Sequence, residues 1–359
     1  MTTAKPQRLL NLDILRLVSA VMVLLFHYGF RMRLSGEGGG IGFPELAPVA
    51  MWFDAGLLIF FAISGYVIAM SAKGRPAFEF AAGRFARLWP TFVLCATITA
   101  IVLTLFPVPT LEQPTVKQWL AHLVIVSRAL GQPFLDGAYW TIVYEIIFYF
   151  WVFVFSALGL FKRHWRLIVI AWLALSALNE LVIGSGAIQK LFITEYSGFF
   201  GFGLCLFKLR TGREKRDFIV LSAAAIWASC AAFITEPDFV EMYAIMRPEL
   251  GLMLMGPLCL AAVVIATFSP ALPIPAALAI GLGGLTYPLY LLHQNIGYAI
   301  FANIASEENR WLVLCGIVIA LSTVAWVIAR FFEPPCRRGL IALCLQGRDL
   351  ALRRIRGTA

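Results

Sequence analysis

Arg16 and His27 lie eleven residues apart in an otherwise apolar stretch, Leu12–Phe30. Eleven residues is close to three whole α-helical turns, so both side chains face one way, about 16 Å apart along the axis. Asp13 stands just ahead of Arg16. Ionisable groups inside lipid are rare, because each costs at least about 2.5 kcal/mol at the bilayer centre. A cation at the mouth of a membrane helix, with an imidazole halfway through above it, suggests a polar shaft. Imidazole titrates near neutral pH and suits general-base work. The competing reading makes Arg16 an orientation anchor and His27 a hydrogen-bonded core histidine.

Further along, DGAYWTIVYEIIFYF puts Tyr139 and Trp140 at a membrane interface and Glu145 about 10 Å inside it. That depth matches His27, so Glu145 is expected to orient the imidazole or share its proton. A purely structural tether is the alternative. Ser64-Gly65 interrupts the apolar run FFAISGYVIAMS and admits a close neighbour, backbone or ligand. Arg84 and Arg87 are three apart, share a helix face, and form the fork that suits phosphate. A snorkelling, lipid-facing pair is the plainer reading. GLGGLTYPLYLLHQNIGY places His293 among other polar groups at mid-membrane, either in the same cavity as His27 or in a structural hydrogen bond. His122 and His164 read as interfacial.

These residues need long apolar elements to hold them, and the composition supplies them. The 359 residues are 60% hydrophobic and 14% charged, with a mean hydropathy of +0.83. The expected fold is all-α, a polytopic membrane protein of about ten spans. The spans fall near 14–32, 50–71, 88–106, 138–160, 167–184, 190–208, 217–234, 248–268, 276–302 and 311–332. Residues 115–130 read as an interfacial or re-entrant helix. The first apolar run has no small-residue cleavage site after it and is expected to be retained. With the N-terminus inside, 22 of the 29 basic residues lie on the cytosolic side, which sets both termini in the cytosol. The charge of +9 therefore belongs to membrane topology rather than to nucleic-acid binding. Two regions are expected: residues 1–335 as the membrane domain and 336–359 as a basic cytosolic tail. The seven cysteines show no CxxC pattern, so no structural disulfide is expected. With no HExxH and no Cys/His cluster, no metal site is expected, and the absence of a Walker loop argues against an ATP-driven machine.

Taken in order, the polar pieces resemble the acyltransferase 3 family of bacterial membrane acyltransferases. The parts that carry the resemblance are Asp13-x-x-Arg16-x10-His27, FFAISGY at Phe60–Tyr66, Arg84-x-x-Arg87-Leu88 with Pro90, Tyr139-Trp140 with Glu145, TYPLYLLH at Thr286–His293, and Glu333-x-Pro335. They span nearly the whole chain. Thr141 stands where the family more often has serine after the tryptophan.

The resemblance implies an enzyme of the bacterial cytoplasmic (inner) membrane, standing alone without an appended hydrolase-like domain. It would move an acyl group, usually acetyl, from cytosolic acyl-CoA to a hydroxyl. The implied acceptor is a glycan or glycolipid bound for export, such as lipopolysaccharide or exopolysaccharide; a macrolide or other small molecule is the alternative. It implies catalytic roles for His27 and Glu145, and acyl-CoA contacts from Arg16, Ser64, Arg84 and Arg87. Asp13, Tyr139, Trp140 and His293 are expected on the acceptor side or in support. Aromatic side chains at the outer rim would stack on sugar rings. The implied partners are acyl-CoA, membrane lipid and the acceptor, with no metal and no nucleic acid. A transporter would show paired broken helices from repeated halves, which the sequence lacks. A non-catalytic flippase partner is the other non-enzymatic reading.

Overall fold

The computed structural model describes residues 9–212 and 214–357. Lys5, Arg8 and Arg213, counted above in the topology, lie outside the described residues. Among the described residues there is no strand, and nine helices are long and apolar enough to cross a membrane. We number the long helices α1 (Leu10–Ser35), α2 (Ala55–Ala72), α3 (Ala77–Leu105), α4 (Trp140–Ala157) and α5 (Trp165–Leu178). They continue as α6 (Ser197–Thr211), α7 (Lys215–Tyr243), α8 (Glu249–Phe268), α9 (Ala276–Ile304), α10 (Arg310–Val327) and α11 (Glu333–Gly357).

The tenth expected span, at 190–208, is the short helix α6. Ile193 has a left-handed backbone with φ of 53°, which stops the preceding turn, and the chain re-enters a helix only at Ser197. α6 makes up for its length by burial. It packs against α2 and α7, and its glycines let those helices approach to backbone contact. A Cβ on Gly203 would lie 1.8 Å from the carbonyl oxygen of Ala62, and one on Gly65 would lie 2.0 Å from that of Phe200. The Ser64-Gly65 step thus serves a helix crossing, as small residues do in lipid.

The short helix Val116–His122 sits where an interfacial segment was expected, capped reciprocally by Thr115 and Gln118. His122 is fully satisfied there. Its Nδ1 lies 2.7 Å from the carbonyl of Gln118, and its Nε2 accepts from the Leu135 N–H at 3.0 Å. At the other end of the bundle lie the start of α1, the Lys73–Arg75 turn and Lys162–Arg163. The expected boundary at 335–336 falls inside the unbroken helix α11, which lies against α3 and joins it through Arg348 and Glu79 at 3.4 Å.

Candidate functional site

Two cavities flank α4, and its helical geometry separates them. Successive residues of an α-helix turn by about 100°. Thr141, Ile142, Glu145 and Tyr149 therefore share one face and line the first cavity. Trp140, Val143, Tyr144 and Ile147 share the opposite face and line the second.

The first cavity is basic. Arg16 from α1, Ser64 from α2, and Arg84 and Arg87 from α3 converge on it. Arg84 is buried, with its guanidinium 5.9 Å from the ring centre of Tyr149. Glu145 is the acid of the cavity lining. It accepts from the Ser64 hydroxyl at 2.9 Å and from the Tyr149 hydroxyl. Asp13 pairs with Arg16 at 3.5 Å on the side facing Gly283, whose missing Cβ leaves room for that carboxylate. Asp13 thus supports the basic cavity.

The second cavity opens among the loops at the opposite end of the bundle. His27, Arg31, Glu37, Trp140, Tyr144 and Gln294 are among its lining residues. A π-helical turn, His27–Arg31, begins at the histidine. Such turns insert one extra residue and recur at functional sites. His27 Nδ1 lies 2.8 Å from the carbonyl of Val23 and 3.0 Å from Nε2 of His293. His293 Nδ1 in turn lies 2.7 Å from the carbonyl of Tyr290, so that nitrogen carries a proton and its Nε2 is an acceptor. His27 Nδ1 then faces two acceptors and must hold the hydrogen. The lone pair of His27 is left on Nε2, which has no hydrogen-bond partner among the described residues. The tautomer follows from this network rather than from an observed hydrogen.

Two expectations need correction. Glu145 and His27 line different cavities, on opposite faces of α4, and no hydrogen bond joins them among the described residues. Their azimuths about α4, which depth leaves open, keep them apart, and His293 occupies the place assigned to Glu145. Tyr139 does not stand at the rim. It ends a 3₁₀ turn that points inward, is fully buried against Phe92 and His122, and shares a hydrogen bond with Thr99 at 3.3 Å. Trp140 alone of the pair lines the outer cavity.

Tyr290 and Thr141 lie between the two cavities. Both line the basic one, their hydroxyl oxygens are 2.8 Å apart, and the Tyr290 ring lies 5.4 Å from that of His293. Sequence reasoning passed over Tyr290, although it stands three residues before His293 and therefore on the same helix face. Among the described residues no group of three or more His, Cys, Asp or Glu side chains is placed to hold a metal.

A model of the acyltransferase 3 family, described as an acyltransferase domain, matches residues 9–330. The chain belongs to this family. It is also 29% identical over 153 residues to an O-acetyl transferase of Shigella phage Sf6, covering 38% of this chain and 43% of that protein. The match thus spans under half of that relative. No solved structure matches the chain.

Proposed function

We propose that this family member is a multi-pass O-acyltransferase of the bacterial cytoplasmic membrane. It moves an acyl group, in the first instance acetyl, from acyl-CoA to a hydroxyl of an exported glycan or glycolipid. The observation that carries this reading is the free lone pair of His27 Nε2 at the wall of the outer cavity. Family membership and the name of the phage relative support it.

The donor enters from the basic end, which we place in the cytosol together with both termini. Arg16, Arg84 and Arg87 receive its phosphates, since guanidinium forks bind such oxygens through two parallel hydrogen bonds. Glu145, through Ser64 and Tyr149, keeps that cavity in shape and offsets part of its positive charge. Asp13 holds Arg16. The acyl arm then reaches the wall at Tyr290 and Thr141, and passing it requires that their hydrogen bond open.

The acceptor occupies the outer cavity, with Trp140 offered to a sugar face. His27 Nε2 takes the proton of the acceptor hydroxyl as that oxygen attacks the thioester carbonyl carbon. The tetrahedral intermediate expels the thiolate of CoA, the C–S bond breaks and the ester forms. The imidazolium returns its proton to sulfur, so the free thiol leaves and the histidine is regenerated. His293 Nε2 accepts from Nδ1 throughout and stabilises the cation.

Reconstitution in sealed liposomes of known orientation tests this reading. Acyl-CoA supplied at the face bearing the termini should support modification of an acceptor supplied only at the other face. Activity only when both substrates share one face would overturn the two-cavity route.

A further inference from the structure

A second basic recess lies further towards the end of the bundle that carries the termini. Lys73 and Arg75 reach it from the α2–α3 turn, Lys162, Arg163 and His164 from the α4–α5 turn, and Lys208 from the end of α6. Among the described residues no acidic side chain lines it. Membrane orientation needs a count of basic residues on one side. It does not need two separate turns and a helix end to bring them to one hollow.

The cations are also unspent. None of the five Lys and Arg side chains makes an ion pair among the described residues. Glu214 and Asp217, the acids on the neighbouring start of α7, are taken by Arg166 at 2.7 and 2.6 Å. Lys208 lies over the rings of Phe161 and Trp165, each 5.4 Å away, and Lys73 lies 5.9 Å from that of Phe207. Aromatic faces hold these ammonium groups in place without neutralising them.

The recess is in line with the basic cavity. Ile68 and Tyr149 line the cavity, and Ala72 and Ser156 line the recess. Residues four and seven apart fall on one helix face, so both walls run straight from one to the other. The offset is about 6 Å along α2 and about 10 Å along α4.

We propose that this recess binds a phosphomonoester, namely the 3′-phosphate on the nucleotide end of the acyl-CoA donor. This rests on the donor reading above and divides the donor's charge between two sites. The pyrophosphate and acyl arm lie with Arg16, Arg84 and Arg87. The terminal phosphate, which carries close to two negative charges at neutral pH, lies among Lys73, Arg75, Lys162, Arg163 and Lys208.

Binding of CoA and of 3′-dephospho-CoA to the full-length protein in nanodiscs tests this. The membrane is phosphatidylcholine alone in one arm and includes phosphatidylglycerol in the other. The wild type should bind CoA about tenfold or more tightly than dephospho-CoA, the worth of one hydrogen bond between charged groups. In Lys73→Gln/Arg163→Gln, and separately in Arg75→Gln/Lys162→Gln, that ratio should fall towards one while dephospho-CoA affinity holds. Unchanged dephospho-CoA affinity reports that each variant is folded. Equal affinity for the two ligands in the wild type overturns the assignment, as does an undiminished ratio in both variants. Loss of both ligands together in both variants also overturns it. A ratio near one, joined to phosphatidylglycerol retention that the variants lose, makes the recess a lipid headgroup site instead. Failure of the wild type to bind either ligand removes the donor reading itself, a result distinct from equal binding.

Discussion

His293 Nε2 stands 3.0 Å from Nδ1 of His27, and the two rings meet edge to face with centroids 4.8 Å apart. Among the described residues neither imidazole is oriented by a carboxylate. Each is instead fixed by a backbone carbonyl of its own helix, Val23 for His27 and Tyr290 for His293. The pair therefore holds its tautomers without placing a buried anion beside them, which would be expensive in lipid.

Removing the proposed base should stop the chemistry without unfolding the chain. His27→Ala is expected to lower kcat by about 10²–10⁴-fold, the usual worth of a positioned general base. Donor affinity and melting temperature in detergent should stay near wild type. Near-normal turnover in that variant would take His27 out of the reaction.

In the proposed mechanism His293 is a positioning residue, and its loss should be milder. His293→Phe is expected to lower kcat about tenfold, since one hydrogen bond to the imidazolium is lost while the Val23 carbonyl remains. The KM values should change little, and the acid limb of the pH–rate profile should move. His293→Gln, which keeps an acceptor, should recover part of the rate. Identical profiles for all three proteins would leave His293 a packing residue.

Arg84→Ala and Arg87→Ala should each weaken CoA binding by about 1.5–3 kcal/mol, as expected for a hydrogen bond between charged groups. Acceptor affinity should be spared, because the proposed acceptor cavity lies on the other face of α4. Calorimetric titration checks this, and unchanged CoA affinity in both variants would return the pair to a topological role.

Asp136, just ahead of α4, is fully buried and accepts N–H groups from Ala138 and Asn295, each at 2.8 Å. Burial pushes its carboxyl up to about 7. In the unfolded chain it titrates near the ordinary value of about 3.9. Between these values the folded chain binds more protons, so this group's contribution to stability falls as pH rises through that window. The wild type should melt at higher temperature at pH 5 than at pH 8, and Asp136→Asn should flatten the slope. Equal slopes in both proteins would assign the pH dependence elsewhere.

The sequence made the helices legible because hydropathy reports directly on lipid burial. It also made the basic cavity legible, since Arg16, Ser64, Arg84 and Arg87 do line one space. Residue spacing yields depth at 1.5 Å per residue, and depth alone brought Glu145 level with His27. Which way each helix turns its faces depends on its neighbours. That is why the partition by α4 and the partnership with His293 had to come from the structure. Tyr139 was misplaced for a related reason. An aromatic residue before a membrane helix suits the interface, but the tight turn Gly137–Tyr139 directs this one into the core.

The fifteen residues of α6 extend about 22 Å, against a hydrocarbon layer of about 30 Å. Twelve of those residues are buried against other helices, so α6 has little surface to offer to lipid tails. During biosynthesis such a segment falls short of the hydrocarbon layer as a solitary span. It has to wait for company, and α7, which follows it within a few residues, is the partner at hand. Entry of the two as a hairpin that then closes against α2 makes the glycine contacts at Gly65 and Gly203 a late checkpoint in assembly, one that quality-control proteases would read as the difference between a finished and an unfinished chain.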